Sequence, residues 1–156
     1  MKKVFLFIGL ALCLASCGDD DEGNGGSGND TFEAKIDGRA YSISGQYAWA
    51  DLIADDLFAV YGSEDQTSAG FSNLFISFIG TPSVGTYDFS DTDQAVGTYL
   101  NTGSGATWTT GVSGSGTVEV TEISADRIKG TFSFKGGDGS SIIDVTEGNF
   151  DVRIGF

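Results

Sequence analysis

Between Ile128 and Lys135 the chain alternates without a break. Ile128, Gly130, Phe132 and Phe134 share one parity, and Lys129, Thr131, Ser133 and Lys135 take the other. A period of two places successive side chains on opposite faces of a strand, so this segment reads as a half-buried antiparallel strand with its apolar side to a core. Just upstream, Val118 and Val120 alternate with Glu119 and Thr121 before a turn at Ser124, Ala125 and Asp126. Downstream the parity changes. Ile143 and Val145 are odd-numbered, whereas Phe150, Val152, Ile154 and Phe156 are even. One extra residue must be absorbed between them, and Gly148 is the expected place for a bulge because glycine tolerates the required dihedrals.

The same grammar runs through the rest of the chain. Phe32, Ala34 and Ile36 alternate with Glu33 and Lys35, then Asp37-Gly38 follows, then Tyr41 and Ile43 resume the alternation. An Asp-Gly pair between two such runs is a strong hairpin signal. Further strands are expected over 49–53, 57–62, 74–79, 86–89, 95–100 and 106–110, separated by turn residues every eight to twelve positions. The apolar run LFISFI at 74–79 reads as a central strand, buried on both faces. No segment after residue 30 keeps a 3.6-residue apolar period, so long helices are not expected. The predicted fold is an antiparallel β-sandwich of about eight to ten strands, with a closed or partly open barrel as the alternative. One such domain is expected over residues 31–156.

The amino terminus has a different character. Lys2 and Lys3 precede an unbroken apolar run over 4–14, too short for a permanent membrane span but of the right length for a signal peptide. Leu14-Ala15-Ser16-Cys17 follows. An aliphatic residue, two small residues and a cysteine resemble the lipobox of bacterial lipoproteins. In that class the thiol is acylated and the chain is cut before it. The alternative is a secretory signal with a coincidental cysteine, and position, spacing and the polar sequence that follows all weigh against it. Residues 1–16 are therefore expected to be removed and Cys17 to carry lipid. Each buried CH₂ contributes about 0.8 kcal/mol, and stable anchoring takes more than one chain. Of the two cysteines, Cys13 leaves with the signal and Cys17 is acylated, so the mature domain has no thiol for a disulfide. Residues 17–30 contain no apolar residue after Cys17 and are expected to be a disordered, acidic, Gly-rich tether of roughly 20 Å mean span. The formal net charge is −14, and loss of Lys2 and Lys3 makes the mature chain more acidic still. Such a surface is repelled by nucleic acid and by anionic lipid head groups.

Several stretches resemble one family. They are FEAKIDGRAYSIS near the start, GTYDF in the middle, GSGTVEVTEISADRIKGTFSFKG, and VTEGNFDV at the end. The family is one of small Bacteroidetes-type lipoproteins known only as a domain of unknown function, and the likeness spans most of 32–154. It implies a lipid anchor and a β fold, and carries over no activity, substrate or catalytic residue. The aromatic that usually follows the first hairpin turn is Tyr41 here. It also gives meaning to Asp19, Asp20, Asp21 and Glu22. An acidic run behind the lipidated cysteine is similar to the export signal that sends such lipoproteins to the outer face of the outer membrane. A plain solvated linker is the alternative.

The chemistry of the domain is defined mostly by what it lacks. There is no histidine, which removes the usual general base and the Ser-His-Asp and Cys-His nucleophile pairs. With no free thiolate, zinc sites go too. A carboxylate pair is what remains for an enzyme. The clusters Asp55/Asp56, Asp88/Asp91/Asp93 and Glu119/Glu122 are what 22 acidic residues yield by chance, so no catalytic role and no cofactor beyond the lipid are expected. Asp88, Asp91 and Asp93 are also a weak calcium candidate, set against a solvated turn. Trp49 and Trp108 are expected either as core residues, the favoured place for large aromatics, or as stacking platforms for sugar rings. Trp108 is the candidate ligand-binding residue. It lies near the glycine-rich stretches 103–105, 111–116 and 136–139, which are expected as loops at the ends of the sheets. The expected function is a surface-displayed recognition module for an extracellular glycan, a neutral one given the charge. The alternatives are a structural or protein-interaction lipoprotein with no small ligand, and a barrel holding an apolar ligand.

Overall fold

The computed structural model describes residues 30–155. Cys17 and the acidic run Asp19, Asp20, Asp21 and Glu22 lie outside the described residues. Ten strands follow in chain order: β1 (Thr31–Ile36), β2 (Arg39–Ser44), β3 (Ala48–Ala54), β4 (Leu57–Ser63), β5 (Ser72–Ile79), β6 (Gly85–Asp88), β7 (Ala95–Asn101), β8 (Ala106–Ile123), β9 (Arg127–Gly137) and β10 (Ile142–Arg153). One 3₁₀ turn at Gly45–Tyr47 joins β2 to β3. All strand pairs are antiparallel, in the order β2-β1-β10-β9-β8-β7-β5-β4-β3, with β6 added to the far half of β8. The sheet curls until its ends nearly meet. Ala50 of β3 bridges Ile154 just beyond β10, and the Gly155 N–H donates to the Ala50 carbonyl at 2.8 Å. The antiparallel all-β class is as the sequence predicts, and its arrangement is a single sheet almost closed into a barrel.

The barrel interior is filled by phenylalanine rings lying over glycines. Phe32, Phe132 and Phe150 form a triangle with centroids 5.2–6.5 Å apart, and Phe134 meets Phe89 edge-on at 5.5 Å. A Cβ added at Gly62 would come within 2.5 Å of the Phe32 ring. One at Gly148 would come within 2.5 Å of Phe132, one at Gly130 within 2.5 Å of Phe150, and one at Gly97 within 2.8 Å of Phe134. Small residues opposite large ones let facing strands interdigitate at interior density.

This packing corrects the reading of Gly148. The bulge between Val145 and Gly148 is real, but Glu147 carries its left-handed dihedral, with φ +52°. Gly148 is needed for space above Phe132. The bulge displaces both neighbours, and the β1 ladder shifts at the same level between Glu33 and Lys35. A second correction concerns 111–116, expected as a loop. These residues belong to the long strand β8. Thr109 pairs with Gly137 and Gly114 with Gly136, so residues 110–113 leave the β9 ladder as a wide bulge and 114–116 rejoin it. Glycine is required at the return because a Cβ at Gly114 or Gly116 would lie 2.1 Å from a β9 carbonyl oxygen. Likewise Gly136 and Gly137 are in β9, and the turn itself begins at Asp138. A third correction is one residue long. Asp30, assigned to the tether, is fully buried and belongs to the domain.

Candidate functional site

Strand direction separates the two ends of the barrel. β1 runs from Asp30 to the Asp37-Gly38 turn, and β10 runs antiparallel to it. The turns at 37–38, 102–105 and 138–141 and the long connection at 64–71 therefore share one end. The opposite end carries the turns at 55–56 and 124–126 and the entry of the chain at Asp30. There Ile154 N–H donates to the Asp126 carbonyl, and Gly45 N–H donates to that of Asp30. The six residues of β1 put these ends roughly 20 Å apart along that strand.

An open cleft of about 500 Å³ lies at the first end. Tyr41, Tyr99, Trp108 and Ile143 line it, together with Asp37, Arg39, Glu64 and Asn101. The hairpin between β7 and β8 builds the aromatic part. Its register pairs Tyr99 with Trp108, and the two rings stack at 5.8 Å with 21° between their planes. Tyr41 meets Tyr99 edge-on at 6.3 Å. The Tyr41 hydroxyl donates to the Gly62 carbonyl at 2.7 Å. Burial, helped by the Glu64 carboxylate, pushes this phenol well above its ordinary pKa, so Tyr41 stays neutral and is a fixed part of the wall.

Trp108 is held by a relay. Its Nε1–H donates to Ser141 Oγ at 2.8 Å, and the Ser141 hydroxyl donates to Asp138 Oδ2 at 3.0 Å. The Asp138 carboxylate also accepts the backbone N–H groups of Ser141 and Ser140, which hold its pKa below the usual carboxylate range. The polar atom of the indole is thus engaged by the protein. What Trp108 offers a ligand is ring surface, which suits stacking on an apolar face such as that of a pyranose.

The other sequence candidates are elsewhere. Trp49 is half-buried on the outer wall, stacked on Tyr61 at 4.8 Å, and Tyr61 in turn meets Phe75 at 5.7 Å. These rings form a ladder across three strands on the outer wall, away from the cleft lining. Trp49 lies outside the core, and Trp108 is partly buried and packs against it. Asp88, Asp91 and Asp93 do not converge, and among the described residues no group of three acidic side chains could hold a metal. Asp88 accepts the Ser90 N–H and hydroxyl, and Asp91 accepts the Asp93 N–H and the Gln94 side-chain amide. Asp55, Asp56, Glu119 and Glu122 are exposed and none of them lines the cleft. Of the glycine-rich stretches, 103–105 and 136–139 do reach the cleft end.

Arg39, Glu64, Tyr99 and Asn101 carry no sequence motif, and Ile143 reads in the sequence only as a strand residue. One signal was available. A symmetric hairpin about 102–105 necessarily sets Tyr99 opposite Trp108.

The fold and the cleft define a small antiparallel β domain that presents an aromatic wall at one end. Over residues 28–152 the chain matches the family described as Domain of unknown function (DUF6252), and it belongs to that family. Comparison with curated proteins and with solved structures finds no match.

Proposed function

We propose that the protein is a lipid-anchored recognition module that binds a carbohydrate in the aromatic cleft. The observation that carries this reading is the placement of Trp108. It is half-buried, stacked, locked by Ser141, and set in a cleft whose lining includes both charged and amide groups. Aromatic ring faces with a few polar groups around them form the usual chemistry of a sugar subsite. The cleft also lies at the end away from Asp30, where the tether joins. A domain held by Cys17 would present it outward from the membrane, and the acidic run at 19–22 would direct that display to the cell surface. On this reading the protein is a binder and not an enzyme. The interior, filled by rings, lends no support to an apolar-ligand barrel. A protein partner is the second reading, supported by Val112 and Ile142. They are 64% and 66% exposed and line a shallow depression together with Ser141.

The test is a glycan-array screen of the full chain in mild detergent, followed by titration of each hit. Trp108→Ala is expected to weaken binding at least about tenfold, as loss of a central aromatic anchor does. A folded protein that binds no glycan would move the protein-partner reading ahead. Binding unaffected by Trp108→Ala would move the site.

The anchor has its own test. Cells fed a fatty-acid probe are expected to label the wild-type protein, and Cys17→Ala is expected to lose the label and the lipoprotein-specific cleavage. Label retained in the variant would refute Cys17 as the attachment point.

A further inference from the structure

The described residues contain six basic side chains. Lys35, Arg127, Lys129, Lys135 and Arg153 each sit against a carboxylate. Arg39 takes part in no ion pair among the described residues. In a chain with 22 acidic and 8 basic residues, carboxylates are in excess, so this guanidinium stands out as the one cation among the described residues that is outside an ion pair. It is exposed at the start of β2 and borders the cleft.

Asp37 and Glu64 line the same cleft, and among the described residues neither forms an ion pair with Arg39. Asp37 accepts the Asp144 N–H at 2.9 Å, and Glu64 accepts the Ser72 N–H at 2.7 Å. Arg39 has its planar fork of N–H donors outside any ion pair of the described residues, and that fork matches a carboxylate in bidentate geometry. The aromatic wall offers a surface for a sugar ring and Arg39 offers a partner for an acid.

We infer that the residue held in the cleft is a sugar bearing a carboxylate, a hexuronate, and that Arg39 binds the acid while Trp108 takes the ring face. This rests on the carbohydrate reading above and narrows it. The overall negative charge repels a polyacid along its length. It has far less effect on a single acidic residue in an otherwise neutral chain, because screening confines the repulsion to about 8–10 Å at physiological salt. Asp37 and Glu64 in the same lining oppose an acid, so the preference rests on the bidentate contact with Arg39 and not on the net charge of the cleft.

Two trisaccharides that differ only at C6 of the terminal sugar provide the test, one ending in a glucuronosyl and one in a glucosyl residue. Both are titrated against the full chain in mild detergent, with the melting temperature of each variant checked. The expected result is at least tenfold tighter binding of the acid-terminated sugar, shrinking as salt is raised. Arg39→Gln is expected to bring that sugar down to the level of the neutral one. Equal binding of the two by the wild type, or an acid preference that survives Arg39→Gln, would overturn the inference and leave the carbohydrate reading intact. A folded wild type that binds neither trisaccharide nor any glycan on the array would overturn both.

Discussion

Phe132→Ala is expected to lower the unfolding free energy by about 3–5 kcal/mol, the range for truncating a buried phenylalanine, while Ser133→Ala leaves it nearly unchanged. The two residues are neighbours in β9 and point opposite ways. Phe132 is 4% exposed and contacts the rings of Phe32, Phe134 and Phe150, so its removal opens a cavity that three other rings must line. Relaxation into that cavity is limited. The neighbouring space is defined by Gly148, over which the ring lies, and glycine has no side chain to move in. The value should therefore fall in the upper part of the range. Ser133 points outward and is exposed, where surface substitutions usually stay within about 0.5 kcal/mol. Denaturant melts of both variants against the parent decide the matter. Similar small losses in the two would mean that the inward face of β9 is wrongly assigned.

The strand β9 also shows why much of this fold could be read from the sequence. Where one face is buried and the other wet, the pattern has period two and names its own inward residues. Phe32, Ile43, Val118, Val120, Val152 and the β9 set are all buried. The hairpin at Asp37-Gly38 was legible for a different reason, since a turn with both central residues at positive φ restricts the residue types that can form it; here both have φ above zero. Legibility ends where a glycine can mean two things. At 111–116 the glycines suggested a loop, yet in the structure they permit β9 to lie close against β8. Gly148 suggested flexible dihedrals, yet it clears space for a ring. Local sequence does not distinguish these cases, because the clashing atom comes from another strand. The cleft was hidden for a related reason. Trp108 was visible, but Arg39 and Glu64 are brought beside it only when the sheet curls, and β2 and β8 are far apart in the sheet order.

Asp30 shows the same limit at the domain boundary, and it yields the second large effect. Asp30→Ala is expected to cost roughly 3 kcal/mol, because removing one partner of a buried ion pair strands the other charges. The carboxylate is fully buried, and the two guanidiniums against it are 24% and 34% exposed on their side chains. Arg153 donates to it through Nε at 2.7 Å and through its backbone N–H at 3.1 Å, while Arg127 Nη1 lies at 3.4 Å. Arg127 keeps Asp151 after the substitution, which holds the loss toward the lower end for such a pair. Asp30→Asn should lose less than Asp30→Ala, since an amide oxygen can still accept the Arg153 N–H. Lys35→Ala is the contrasting variant. Its pair with Glu147 has the same short separation, 2.8 Å, but both side chains are exposed, so water already solvates them and the expected loss is below about 1 kcal/mol. Burial, not distance, separates the two cases. The clamp also sets where the chain leaves the barrel, so Asp30→Ala should loosen the start of β1 before the rest unfolds. Limited proteolysis is expected to cut near Thr31 earlier in the variant, and hydrogen exchange of the β1 amides is expected to speed up. A denaturant midpoint shifted no further by Asp30→Ala than by Lys35→Ala would show that the buried carboxylate does not hold the strand.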